Sequence, residues 1–153
     1  MSADTALVGA HRDDDTATES GSVYIFGRNE GGTDNWGQVA KIAASDAAAG
    51  DNFGRAVAMS GDVALVGANG DDDTATDSGS VYIFGRNEGG TDNWGQVAKI
   101  AASDPAANDY FGTAVALSGE TALVGANYDD DAGSSSGSAY IFGRNEGGTD
   151  NWG

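Results

Sequence analysis

The sequence predicts an all-β chain built from repeated sheets of four antiparallel strands. Three observations carry this expectation. The stretch DTALVGAHRDDDTATESGS (Asp4–Ser22) recurs as DVALVGANGDDDTATDSGS (Asp62–Ser80) and as ETALVGANYDDDAGSSSGS (Glu120–Ser138), so that Asp13, Asp71 and Asp129 stand 58 residues apart both times. Each period holds short runs rich in β-branched and aromatic residues, punctuated by glycine, asparagine and aspartate. The second and third runs of each period are almost continuously apolar, the pattern of strands buried on both faces.

One whole period is read from Phe53 to Asn108. Arg55–Ser60 (RAVAMS) is a short first strand, and Gly61-Asp62 forms the tight turn of a two-residue hairpin. Val63–Ala68 is the second strand, followed by an acidic loop. Ser80–Gly85 (SVYIFG) is the third. Arg86–Asn93 (RNEGGTDN) is a polar connection whose paired glycines admit positive φ. Trp94–Ala102 (WGQVAKIAA) is the fourth strand, and Ser103–Phe111 leads into the next period through an Ala-rich connector that is too short for a helix of its own. A sheet so apolar on both faces belongs between two others, and radial stacking of four-stranded sheets is a β-propeller, each sheet a blade.

Asp4–Asp46 and Asp62–Asp104 align without a gap and differ only at Thr5/Val63, His11/Asn69, Arg12/Gly70 and Glu19/Asp77, so the units are structurally interchangeable. At 153 residues the chain holds about 2.6 such repeats. Residues 1–52 are expected to form a first blade lacking its inner strand, 53–110 a complete second blade, and 111–153 a third lacking its outer strand. Terminal repeats of an open array expose apolar faces. Identical chains are therefore expected to complete one another as a homo-oligomer, most simply a dimer, unless the chain is a piece of a longer propeller.

Composition narrows the function. Twenty-four acids against seven Lys and Arg give a formal charge of −17, which repels nucleic acid and anionic lipid and attracts cations or basic partners. No window approaches the ~20 apolar residues of a membrane span, and MSADTALVGA has neither the basic nor the long apolar region of a secretory signal. Without cysteine there is no disulfide framework or thiolate metal site. His11 is the only histidine and replaces an asparagine of the other copies, and no Ser/His/Asp set, phosphate loop or basic stripe is present, so the chain reads as non-enzymatic.

The acidic loop is the one stretch with cation chemistry. Asp71-Asp72-Asp73-Thr74-Ala75-Thr76-Asp77 has a D-x-D-x-x-x-D arrangement, and hard cations such as Ca²⁺ take six to eight oxygens from carboxylates, carbonyls, hydroxyls and water. Asp71, Asp73 and Asp77 are the candidate ligands of the second loop, Asp13, Asp15 and Glu19 of the first, and Asp129 and Asp131 of the third, where Ser135 replaces the last acid and weaker binding is expected. The bland reading is a solvated loop whose charges serve only solubility. Antiparallel connections alternate between the two ends of a sheet, which puts the acidic loops beside the inter-sheet connectors carrying Asp46, Asp51, Asp104 and Asp109. Fifteen of the 24 acids then gather on one face. Trp36, Trp94 and Trp152 are read as packing clamps, with sugar stacking as the rival, and Tyr24/Phe26, Tyr82/Phe84 and Tyr140/Phe142 as core between sheets.

Phe53-Gly54 before the first strand, Leu65-Val66-Gly67-Ala68 ending the second and Gly79-Ser80-Val81-Tyr82-Ile83-Phe84 in the third resemble an FG-GAP repeat, and Phe111-Gly112 with Val124-Gly125-Ala126 repeat the likeness. This is the blade unit of integrin α-subunit propellers and of many bacterial surface proteins, and the LVGA, Asp-cluster, SGSAYVF form of the prokaryotic variety is the closer match. The resemblance implies a propeller, commonly seven-bladed, with calcium in blade loops, an adhesion role and an extracellular or cell-surface location, with an extracellular protein or glycan as partner. The proline of the signature is replaced by His11, Asn69 and Asn127, and the acids lie between strands two and three, whereas the integrin calcium loop lies between strands one and two. The resulting expectation is a non-enzymatic scaffold or adhesion module with calcium-binding loops. Its alternatives are a purely structural self-assembling fragment without ligand and a carbohydrate-binding propeller.

Overall fold

The computed structural model describes residues 4–146, 148 and 151–153; Met1–Ala3 of the N-terminal segment, and Gly147, Thr149 and Asp150 of the third RNEGGTDN connection, lie outside them. Three antiparallel sheets follow one another along the chain. The first is β1 (Thr5–Ala10), β2 (Ser22–Gly27) and β3 (Gly37–Ile42). The second is β4 (Ala56–Ser60), β5 (Val63–Ala68), β6 (Ser80–Gly85) and β7 (Gly95–Ile100), paired in that order. The third is β8 (Phe111–Ser118), β9 (Thr121–Ala126) and β10 (Ser138–Gly143). Each sheet is a simple meander, so every loop falls at one of its two ends. No helix among the described residues is long and apolar enough to cross a membrane.

The apolar runs become the middle strands for the reason their composition suggests. In the second sheet β5 and β6 are buried almost throughout, with Leu65 and Val66 both fully inaccessible although they point to opposite faces. The near-identical strands of the third sheet alternate instead: Ala122, Val124 and Ala126 are buried while Thr121 and Leu123 are exposed. The same sequence is thus two-sided in the middle sheet and one-sided in the third, because the middle sheet packs between two others. One core joins the first and second sheets through Val23, Ile25, Val66, Tyr82 and Phe84. A second joins the second and third through Leu65, Val81, Ile83, Val124 and Phe111.

The Phe-Gly pair before each first strand locks these junctions. Phe53 is fully buried, with its ring edge-on to Tyr82 (centroids 5.4 Å apart) and to Phe84 (5.8 Å), and Phe111 repeats this with Tyr140 and Phe142. Full burial of such a ring contributes about 1.5–3 kcal/mol before its edge-to-face contacts are counted. The glycine beside it reaches the previous sheet. A Cβ on Gly67 in β5 would fall 2.0 Å from the carbonyl oxygen of Gly112, and one on Gly9 in β1 the same distance from that of Gly54. The glycine ending the second strand of one sheet is therefore the seat for the Phe-Gly pair of the next. Backbone bonds extend the seam, with Phe53 N donating to Ser20 O and Phe111 N to Ser78 O.

The first strand of the period, β4, begins at Ala56, one residue later than expected, and two further details differ. The fourth strand is shorter, because Trp94 turns with a φ of 53° before β7 begins at Gly95. Its indole is buried in the core between the first two sheets, and Trp152 occupies the same place between the second and third. A bulge between Ile83 and Phe84 also shifts the β6–β7 register and sets Lys99 directly opposite Tyr82.

Candidate cation-binding clusters

Each acidic loop is folded by its own backbone before any cation is considered. In the second loop Gly79 N donates to Asp71 O (2.9 Å), Ser78 N to Ala75 O, and Asp73 N to Asp71 Oδ1 (3.3 Å). This tight return turns the Asp71 carboxylate inward, where it is almost wholly buried, while Asp72 and Asp73 stay exposed. Ser80 Oγ donates to Asp71 Oδ1 (3.1 Å), and the Tyr82 hydroxyl lies 2.6 Å from Asp71 Oδ2 and 2.8 Å from Asp46 Oδ1. Asp46 comes from the connector leaving the first sheet, so the cluster is shared across a junction.

A positive charge offsets the repulsion of three carboxylates this close, and the chain provides it. Lys99 Nζ lies 2.9 Å from Asp46 Oδ2, 2.8 Å from Asp71 Oδ2 and 2.6 Å from Asp73 Oδ2, and 4.9 Å from the centre of the Tyr82 ring. Burial alone would lower the Lys99 pKa, but the carboxylates outweigh it and raise it. Asp46 is held below the ordinary carboxylate range by the ammonium and the tyrosine hydroxyl, against the effect of its burial. Tyr82 is pushed up, first by burial and then by Asp71 and Asp46, and stays a neutral hydroxyl.

The first loop makes a reduced version. Lys41 Nζ lies 2.9 Å from Asp13 Oδ2, pairs with Asp15 and sits 5.0 Å from the Tyr24 ring centre, and Tyr24 Oη donates to Asp13 Oδ2. Lys41, foremost, holds the Asp13 carboxyl down at about 2. In the third loop the acids are arranged as in the second, with Tyr140 Oη 2.6 Å from Asp129 Oδ2 and 2.8 Å from Asp104 Oδ1. The chain's two lysines pair with the first and second loops. Asp104 and Asp129 raise the Asp131 pKa, Asp104 most, whereas the Tyr140 hydroxyl lowers that of Asp129.

The structure brings together Asp46, Asp71 and Asp73 in one group and Asp104, Asp129 and Asp131 in another, each with carboxylate oxygens within 4.8 Å of one another. Asp13 and Asp15 meet at Lys41. Glu19 and Asp77 stand outside these groups. They occupy a left-handed turn, with φ of 52° and 50°, and their carbonyls accept from Asn52 N and Tyr110 N of the following connectors. The Glu19 carboxylate faces Arg12 at 3.8 Å. Ser135 takes the same turn position in the third loop with a φ of 50°, outside the Asp104, Asp129 and Asp131 group. The connector acids Asp46 and Asp104 replace the loop's last acid as third members. Their place beside the loops followed from alternating connections. Lys41, Lys99 and the tyrosine hydroxyls were not foreseen, and the only sequence signal for them is the pairing of the third and fourth strands.

Two further carboxylates lie beneath the connectors. Asp51 and Asp109 are buried and accept from Ala48 N (2.6 Å) and Ala106 N (2.7 Å). Burial, followed by the charges of Asp71 and Asp72, pushes Asp51 up to about 6. Trp94 and Trp152 are buried at 3% and 6% exposure, which leaves neither indole a face for stacking on a sugar.

A seat glycine, a Phe-Gly plug and an inward-turned aspartate thus recur at the repeat spacing. The FG-GAP repeat model matches residues 1–26, 36–84 and 94–142, most of the chain. The chain belongs to the FG-GAP repeat family. FG-GAP repeats are structural, non-catalytic units, and the family is generally associated with cell surfaces and the extracellular space. No curated protein matches the chain. This FG-GAP chain is an all-β repeat module carrying candidate metal-binding acidic clusters.

Proposed function

We propose that the chain is a propeller-type scaffold or adhesion module of the cell surface or extracellular space, whose sheet junctions are organised by cations. Lys99 is the internal cation of the Asp46, Asp71 and Asp73 group, and Ca²⁺ is the ion read for the Asp104, Asp129 and Asp131 group. The observation that carries this reading is the convergence of Asp104, Asp129 and Asp131, whose carboxylate oxygens lie within 4.8 Å of one another. The donor set fits a hard cation, being three carboxylates and the Tyr140 hydroxyl, all oxygen. Asp104, Asp129 and Asp131 would hold the ion, and water would fill the remaining positions. When bound, the ion supplies positive charge that relieves the mutual repulsion of the trio and ties the connector to the loop. With so few protein ligands on an exposed rim, affinity belongs in the range of extracellular modules, about 10⁻⁴–10⁻³ M.

Calorimetry on the chelator-treated chain tests this. One Ca²⁺ per chain is expected, with a rise in melting temperature that Asp129→Asn abolishes. Absence of both heat and a melting shift at millimolar Ca²⁺ would leave a purely structural module.

A further inference from the structure

Asn69-Gly70 is the only Asn-Gly step in the chain, and the same place is His11-Arg12 in the first copy and Asn127-Tyr128 in the third. An asparagine followed by glycine is open to attack of the next peptide nitrogen on its side-chain amide, because glycine places no side chain over its own nitrogen. The packing demands that glycine. A Cβ on Gly70 would fall 2.1 Å from Gly50 O and 2.9 Å from Asn52 Nδ2, both on the connector that leaves the first sheet. The same contact restrains the chemistry. Gly70 N donates to Asp51 O (3.1 Å), so the attacking nitrogen is occupied while the connector stays seated. Asn69 Oδ1 is buried and has no hydrogen-bond partner among the described residues, so no donor stands ready for the charge that attack would build on it.

We infer that Asn69-Gly70 is a site of succinimide formation and deamidation, which the closed junction between the first and second sheets shuts and its opening releases. When the connector lifts, Gly70 N loses its acceptor and the Asn69 carboxamide is free to turn towards it. The unpartnered oxygen favours that opening, since a buried acceptor regains a hydrogen bond wherever water reaches it. Gly70 N then bonds to Asn69 Cγ, the Cγ–Nδ2 bond breaks, and Nδ2 leaves as ammonia with the proton from Gly70 N. Water opens the imide at either carbonyl and leaves an aspartyl or isoaspartyl residue at position 69. Both products add a negative charge two residues from Asp71 and against the connector that carries Asp51, each of them already buried. The isoaspartyl product also lengthens the backbone by one methylene, which puts Gly70 N out of step with Asp51 O. Reclosure is penalised, and the modification becomes a lasting record that the junction has opened. This inference is independent of the calcium reading and is tested without metal.

Peptide mapping by mass spectrometry follows the reaction in the full chain at mildly alkaline pH, with isoaspartate counted by an isoaspartate-specific methyltransferase. Asn69 is expected to be the first asparagine modified in the urea-unfolded chain, and to react at least about tenfold more slowly in the folded one. Asn127, followed by tyrosine, should lag behind Asn69 in urea. Phe53→Leu loosens the plug of this junction and should raise the folded rate at Asn69 several-fold, whereas Gly125→Ala, which meets no close neighbour, should leave it unchanged. Val23→Ala supplies a second lesion in the same core, and circular dichroism confirms that each variant is folded. Equal rates at Asn69 in the folded and urea-unfolded chain overturn the inference. So do folded junction variants that react no faster than the parent, or another asparagine that reacts ahead of Asn69 in urea.

Discussion

Lys99 Nζ lies 2.9 Å from Asp46 Oδ2 although 53 residues separate the two in the chain. Lys99 belongs to the outer strand of the second sheet, and Asp46 to the connector leaving the first. Their pairing crosses a sheet junction, and the same ammonium neutralises Asp71 and Asp73 of the acidic loop. Electrostatically the arrangement does what a bound metal ion would do, with the cation covalently part of the chain.

Replacing Lys99 with Met tests that equivalence. The side chain is largely sheltered and Asp71 is buried, so removing the ammonium strands carboxylates that water cannot fully solvate. The loss is expected to be about 2 kcal/mol, discounted for the exposed partner Asp73, or a fall of roughly 4–8 °C in melting temperature. Millimolar Ca²⁺ should restore part of it in K99M and none in the wild-type second cluster. Thermal melts with Ca²⁺ and with chelator read both effects.

Three equivalent glycines offer an internal control on the junction seats. Gly9→Ala and Gly67→Ala would drive a methyl group into a backbone carbonyl 2.0 Å away, which only separation of neighbouring sheets relieves. Gly125, the same position in the third sheet, has its nearest neighbour at 3.6 Å. Urea titration should find the first two destabilised by about 2–4 kcal/mol and Gly125→Ala within about 0.5 kcal/mol of the parent.

Stability is expected to peak in mild acid. Asp51 rises from an ordinary 3.8 to about 6 in the folded chain, so folding takes up a proton between those values and stability increases as pH falls through that window. Asp13 acts in the opposite sense. Its folded value near 2 gives a contribution that is complete above 3.8 and lost as pH falls towards 2. Melting temperature measured across the range should therefore be highest at roughly pH 4–5. Asp51→Asn, whose amide oxygen still accepts from Ala48 N, should melt a few degrees higher than the parent at neutral pH and lose the rise on acidification.

Much of the fold was legible because its elements are short, apolar and bounded by glycine. Val63–Ala68 and Ser80–Gly85 become β5 and β6 with the expected limits, since an apolar run ending at a tight turn leaves little choice of register. The clusters were only half legible. Asp71 and Asp73 announce themselves by charge, and Asp46 by its place at the same end of the sheet. Asp77 also fits a ligand spacing, and in the fold it occupies a left-handed turn outside the Asp46, Asp71 and Asp73 group. Lys99 was hidden for a different reason. On an outer strand that alternates polar and apolar residues it reads as a solvated charge. Only the bulge between Ile83 and Phe84 fixes it opposite Tyr82 and over the acids.

The seam between sheets has a bearing on how such a protein changes length. Everything a junction needs is encoded within one period: the seat glycine, the Phe-Gly plug, the inward aspartate and, on the fourth strand, the lysine that neutralises it. Duplicating a period in the gene therefore inserts a finished joint together with its own counterion, with no second-site adjustment elsewhere. The near-identity of Asp4–Asp46 and Asp62–Asp104 is what such copying leaves behind. The number of sheets is then a property that recombination can alter in one step, whereas the chemistry of any single joint can change only residue by residue.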